Sequence, residues 1–312
     1  MTRIKVLFLI ITVFIVSCTT AKHEYDRKNP YPGIETLNFK KSHAYFLSNE
    51  SSDKLVIVIE GSGWRSVLGV KNKNYWSEAG LAALLLQELR DTHNFLIPEK
   101  LKRQPGMMYN EDMEDRANYT ADNLIEGYID SINGHLAEHN YSNIILAGAS
   151  EGACLLPLLY ERMNKKEKVT AMVIDAFGGL SIYESYEILK DRPFITREWE
   201  EAFTDILTAF NPKNITFPDS YIDDYYGLTQ KYFGSFVHIR PFDYYKNINV
   251  PILFLHGTHD FSIPVESTIY VQENLPDKPF EYKYFFNWDH QPRNAKDVIE
   301  YRKAIAGWIL SQ

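Results

Sequence analysis

The chain has 312 residues, 45% of them hydrophobic, which suits one large single-core domain and is too apolar for a disordered chain. Its net charge is −8 and Lys and Arg form no run beyond short pairs, so the basic face of a nucleic-acid binder is missing. With two cysteines in all, Cys18 and Cys154, a disulfide framework is excluded.

The N-terminus carries Arg3 and Lys5 and runs into an apolar stretch from Val6 to Val16, broken only by Thr12. That is the layout of a signal-peptide core and is too short for a membrane-spanning helix. The residues Ile15-Val16-Ser17-Cys18 resemble the lipobox of bacterial lipoproteins. The resemblance implies that residues 1–17 are removed and that Cys18 is acylated, holding the protein on a membrane of the cell envelope without a spanning helix. Thr19 in the next position favours the outer membrane. Residues 18–33 are polar and Pro-containing, without periodicity, and read as a tether.

Order is expected from Ile34, in one domain spanning 34–312. Short strands are predicted around Thr36–Phe39 and His43–Leu47. The run Leu55-Val56-Ile57-Val58-Ile59 follows, with the β-branched continuity of a strand buried on both faces. The pattern then alternates: a helix around Trp76–Arg90, a strand Asn94–Ile97, a helix around Thr120–Glu138 and a strand Asn143–Ala147. A helix from Gly152 to Met163 and the strand Val169–Asp175 come next. After a long irregular stretch, the strand Pro251–His256, a helix near Val265–Glu273, the strand Phe280–Phe286 and a terminal helix Ala295–Leu310 complete the chain. Strands alternating with helices make a doubly wound, mostly parallel α/β sheet by the right-handed crossover rule. Residues 180–247 break the alternation. Rich in Tyr, Phe, Asp and Pro, with amphipathic helical potential at Thr196–Ala209, they read as a helical insertion, either a lid-like wall over a site or a peripheral decoration.

Chemistry concentrates at a few ordered places. Gly148-Ala149-Ser150-Glu151-Gly152 is a G-x-S-x-G set directly between an apolar strand and a helix-compatible segment. A sharp strand-to-helix turn needs the flanking glycines and pushes the Ser150 hydroxyl outward. A serine hydroxyl is a poor nucleophile near neutral pH, so it requires a His base and a carboxylate that orients the imidazole. Downstream, the strand in Val250–His256 opens into Gly257-Thr258-His259-Asp260, and the last strand ends at Trp288-Asp289-His290-Gln291. Asp260 could instead cap the following helix, and Asp175, at the end of the preceding core strand, is a rival acid. Cys154, on the helix after Ser150, reads as a buried apolar residue.

These three ordered motifs resemble the α/β-hydrolases, and the acid segment is similar to the dienelactone hydrolase and prolyl oligopeptidase branches. The resemblance covers about Ile34 to Gln312. It implies an α/β-hydrolase fold and hydrolysis through an acyl-enzyme, with Ser150, Asp260 and His290 as triad. His256 has the place of a packing histidine, His259 should point away from the acid, and His238, in the insertion, should be at the surface. Two backbone N–H groups must face the developing oxyanion. Glu151 would provide one, and the loop Glu60-Gly61-Ser62-Gly63 the other, at Ser62 or next Gly63. Two departures stand out: Glu60 where the family has His, and Asp289 where it usually has Gly. Trp64, Arg65, Tyr75 and Trp76 could line a pocket or simply pack.

No His, Cys, Asp or Glu cluster has metal-ligand spacing and no phosphate-binding glycine motif follows a strand, so no cofactor and no metal are expected. The leading expectation is hydrolysis of a small carboxylic ester. A prolyl-oligopeptidase-like peptidase is the alternative, lowered because no β-propeller is seen ahead of the hydrolase pattern. A catalytically inactive hydrolase fold serving as a binding module is the third.

Overall fold

The computed structural model describes residue 31 and residues 33–63, 66–68, 70–72, 75–77, 80–100, 118–192, 197–212, 230–292 and 294–312. Cys18 with its lipobox, and Trp64 and Arg65, lie outside the described residues, and Tyr75 and Trp76 are described in backbone only.

The apolar runs become the centre of one mixed sheet. Its strands are β1 (Glu35–Asn38), β2 (His43–Leu47), β3 (Lys54–Ile59), β6 (Asn94–Pro98), β7 (Asn143–Ala149), β8 (Val169–Asp175), β9 (Ile252–Gly257) and β10 (Phe280–Phe285). They lie in the order β1-β2-β6-β3-β7-β8-β9-β10. The pairs β1–β2 and β2–β6 are antiparallel and every pair from β6 onward is parallel.

Alternate residues of the central strands feed two separate cores. On one face Leu55, Ile57, Ile59, Leu146 and Ile174 pack with helices α2 (Ala121–Glu138) and α3 (Glu151–Arg162). On the other, Val56, Val58, Ala147 and Val173 pack with α1 (Leu81–Leu89) and α9 (Ala295–Ser311). Both faces are dry, which is why these strands read as continuous apolar runs rather than as alternation. Each fully buried Val, Leu or Ile among them contributes about 1.5–3 kcal/mol over leaving it exposed.

The helix expected from Trp76 begins only at Leu81; Tyr75–Ser77 instead form β5, paired antiparallel with β4 (Val70–Asn72). The start of α1 is set from outside the segment. The buried Glu60 carboxylate accepts the amides of Leu81 (3.1 Å) and Ala82 (2.6 Å), two of the donors a helix N-terminus leaves without intrahelical partners.

Between β8 and β9 the insertion is more regular than its composition implied. It contains α4 (Ile182–Leu189), α5 (Arg197–Ala209), α6 (Gln230–Phe236) and α7 (Phe242–Tyr245); α8 (Glu266–Asn274) follows β9. A capping box opens α4: Ser181 and Glu184 each accept the other's backbone N–H. That Ser-x-x-Glu signal was present in the sequence. Tyr186 from α4, Phe203 and Ile206 from α5 and Tyr232 from α6 join the same core as α2 and α3. His238 is half-buried and not a free surface residue, its Nε2 lying 2.8 Å from the Phe210 carbonyl and its ring 5.2 Å from that of Tyr183. Among the described residues no helix is long and apolar enough to cross a membrane.

Candidate active site

Ser150 sits where β7 turns into α3, with φ 51° and ψ −116°, a conformation that L-residues rarely adopt. Strain of this kind costs about 1–3 kcal/mol and persists only where surrounding structure enforces it. Here the Ser150 amide donates to the Asp175 carbonyl (2.9 Å) and the Ser150 carbonyl accepts from Cys154 (3.0 Å). The glycines are steric requirements: a Cβ at Gly152 would stand 2.1 Å from the Ile59 carbonyl oxygen, and one at Gly148 would stand 2.8 Å from the Gly152 oxygen.

His290 reaches Ser150 from the loop between β10 and α9. Its Nε2 lies 2.9 Å from Ser150 Oγ, and its Nδ1 lies 2.7 Å from Asp260 Oδ2. The other carboxylate oxygen of Asp260 accepts the amides of Ser262 (2.7 Å) and Ile263 (2.9 Å). With Nδ1 donating to the acid, Nε2 is left as an acceptor for the serine proton. Both residues are buried. Burial alone would raise the Asp260 pKa, but the His290 charge and the hydrogen bonds from His256 and His290 outweigh it and hold the carboxyl well below the usual range. For His290 burial works downward, and attraction to Asp260, then its hydrogen bond, then Asp175 and Asp289, turn the net shift upward.

The rival groups have other employment. Asp175 acts on His290 through its charge; burial pushes its carboxyl up to about 6, opposed by the Tyr301 hydroxyl and by His290. His259 turns aside, its Nδ1 3.3 Å from the Thr258 hydroxyl. Cys154 is fully buried, and burial raises its thiol pKa well above the ordinary value. His256 packs, as its position implied, but against the acid itself. Its Nε2 lies 2.9 Å from the Ile263 carbonyl and 3.4 Å from Asp260 Oδ2, and its Nδ1 lies 2.8 Å from the Thr268 hydroxyl. It is thus a fourth polar member of the cluster, and only the tertiary structure places it there.

The residues at odds with the resemblance both have structural partners. Asp289 accepts the backbone N–H of His290 (2.7 Å) and of Phe261 (3.4 Å), tying the His290 loop to the Asp260 loop. Glu60 caps α1 as described above. After it, the chain brings Gly61 against Ser150, where a Cβ on the glycine would meet Ser150 Cβ at 3.2 Å. Ser62 is exposed and Gly63 has φ 120°. Glu151 presents its amide in the first turn of α3, while its buried side chain accepts a hydrogen bond from Tyr232 of α6, so the insertion reaches the residue next to Ser150. Among the described residues, no group of three or more His, Cys, Asp or Glu side chains is arranged to hold a metal.

Comparison with known proteins agrees with this architecture. Residues 177–312, which hold Asp260 and His290 but not Ser150, match the model of the prolyl oligopeptidase family. The structure is similar to the acylaminoacyl peptidase of Pyrococcus horikoshii, with a TM-score of 0.57 and 14% identity over 88% of this chain and 40% of that one. It is similar to Est1E from Butyrivibrio proteoclasticus, with a TM-score of 0.57 and 17% identity over 89% of this chain and 98% of Est1E. A puromycin-hydrolyzing peptidase of Mycobacterium tuberculosis gives a TM-score of 0.58 and 14% identity over 91% of this chain and 41% of that one. The chain therefore spans about two fifths of the length of these peptidases and nearly all of Est1E. No curated protein matches the chain. Sheet order and elbow give the chain an α/β-hydrolase-like fold, and its residues 177–312 are similar to the prolyl oligopeptidase family.

Proposed function

We propose that the chain is a serine hydrolase that cleaves a carboxylic ester through an acyl-enzyme on Ser150. The observation that carries the reading is the continuous relay from Ser150 Oγ to His290 Nε2 (2.9 Å) and from His290 Nδ1 to Asp260 (2.7 Å). In this scheme Ser150 Oγ attacks the ester carbonyl carbon as His290 takes its proton. The resulting oxyanion is received by the amides of Glu151 and Ser62, with Gly63 beside them. Collapse breaks the bond to the alkoxy oxygen, which leaves with the proton from His290. Water then attacks the acyl carbon, gives its proton to His290, and the acid departs as Ser150 is reprotonated.

Support for an ester over a peptide comes from Est1E, which matches over 98% of its length and has been described with ferulic acid bound. The family match at residues 177–312 supports a peptidase reading in its place. A panel of p-nitrophenyl esters run beside aminoacyl-p-nitroanilides decides between them. Turnover of the esters is expected to dominate; faster anilide turnover would give the role to a peptidase. No turnover of either, with no fluorophosphonate labelling, would leave an inactive fold.

The pH dependence has a definite sign. His290 must be neutral to accept the serine proton, and its pKa is raised above that of an ordinary histidine, about 6.5. The ratio kcat/KM should therefore be level at alkaline pH and fall about tenfold per unit on the acid side, with its midpoint above about 6.5. A midpoint below that value in a pH–rate profile contradicts this account of the base.

A further inference from the structure

A buried lysine lies behind the loop assigned to the oxyanion. Lys100 follows β6 and is 3% exposed, and its Nζ donates to the carbonyl oxygens of Gly61 and Gly63, the latter at 3.1 Å. A buried ammonium is costly unless its donors are matched. Here two carbonyls match it, and the carboxylates of Glu60 and Glu99 are close enough for its charge to act on both. Glu99 in turn fixes the backbone on either side. It accepts the amides of Lys100 (2.9 Å) and Val67 (3.2 Å) and the hydroxyls of Ser66 (2.5 Å) and Tyr45 (3.0 Å).

The carbonyl of Gly61 and the amide of Ser62 belong to one planar trans peptide, in which C=O and N–H point in opposite directions. Turning the Gly61 oxygen onto Lys100 therefore aims the Ser62 N–H the other way. Gly61 lies directly against Ser150 and Ala149. Rotation of that peptide changes ψ of Gly61 and φ of Ser62, and Gly61, having no Cβ, offers little steric resistance at its end. A rotated peptide would present a carbonyl oxygen where the oxyanion needs a donor. From this arrangement we infer that Lys100 is a positioning residue, locking the Gly61–Ser62 peptide so that the Ser62 amide faces the reacting oxygen. The inference rests on the serine-hydrolase reading and adds a group that does not itself touch substrate.

The test uses the full chain and Lys100→Met, which keeps the apolar stem and removes the donors. The readouts are kcat and KM on a p-nitrophenyl ester and the inhibition constant of a trifluoromethyl ketone, which forms a tetrahedral oxyanion on a serine. Loss of one oxyanion donor lowers kcat by roughly 10²–10³. Lys100→Met is expected to lose a comparable factor in kcat, to weaken the ketone in parallel, and to leave KM within about threefold. A role confined to folding would change the amount of active enzyme, as counted by fluorophosphonate labelling, and not these constants per active site. Wild-type kcat and ketone affinity in Lys100→Met overturn the inference, as does a loss confined to KM. Ser62→Pro removes the amide donor and keeps Lys100 in the chain, so it serves if Lys100→Met does not fold. Full kcat in Ser62→Pro overturns the inference by itself. Absence of labelling and turnover in the wild-type chain would instead overturn the reading underneath.

Discussion

Ser150→Ala is expected to abolish ester turnover, with a loss in kcat of about 10⁶, while the protein still folds. The two halves of that expectation rest on different parts of the structure. Chemistry needs the Oγ that lies 2.9 Å from His290 Nε2. Cys154, the other nucleophile of the same helix, is fully buried with its thiol held protonated by burial, so it offers no substitute. Folding needs the backbone turn, which depends on Gly148, Gly152 and the amide bond from Ser150 to the Asp175 carbonyl, all of which alanine preserves. Alanine and serine meet the same obstruction at φ 51°, so the strained conformation changes little in energy. Assay with the best p-nitrophenyl ester and fluorophosphonate labelling check the first half, and thermal unfolding checks the second. Turnover within a hundredfold of wild type would remove Ser150 from the mechanism, and a large fall in Tm would show that the elbow hydroxyl is structural.

The parts of this architecture that were legible in the sequence are those encoded locally. Continuous apolar runs announced β3, β7, β8 and β9 because both faces of those strands are dry. The elbow was legible because its glycines sit within two residues of the serine, at a strand–helix junction. The acid and base loops could be ordered but not brought together by pattern alone; choosing Asp260 over Asp175 took the resemblance. The features that local sequence does not encode depend on contacts between distant segments. The start of α1 is set by Glu60, 21 residues upstream of Leu81, and apolar periodicity runs straight through the hairpin before it. Lys100 and its two carbonyl partners are 39 and 37 residues apart and show no sequence periodicity. The place of His256 implies packing, but its contact with Asp260 exists only once the loop folds back. The anchor expected at Cys18 lies outside the described residues.

Asp260→Asn tests the electrostatic half of the site, and its expected effect, about 10⁴ in kcat, follows from how the carboxylate is held. One oxygen of Asp260 accepts two backbone amides, from Ser262 and Ile263, and the other accepts His290 Nδ1. An asparagine in this place has one acceptor and one donor end. Turning its NH₂ toward the two amides would set donor against donors and leave buried N–H groups without partners, at about 1–3 kcal/mol each. The oxygen therefore stays on Ser262 and Ile263, and the NH₂ faces His290 Nδ1. That nitrogen must then accept, which places the imidazole proton on Nε2, where it blocks transfer from Ser150. The same change removes the charge that raises the His290 pKa, so the residual activity should have its acid limb displaced toward lower pH. Asp175→Asn is the control: its carboxyl acts on His290 through space, so a loss of tenfold or less is expected, with a smaller displacement of the same limb. Steady-state rates across pH for the two variants, with ¹⁵N spectra of the imidazole, separate the cases. Were Asp175→Asn the more damaging change, or were Nδ1 still protonated in Asp260→Asn, the orienting carboxylate would have to be reassigned to Asp175.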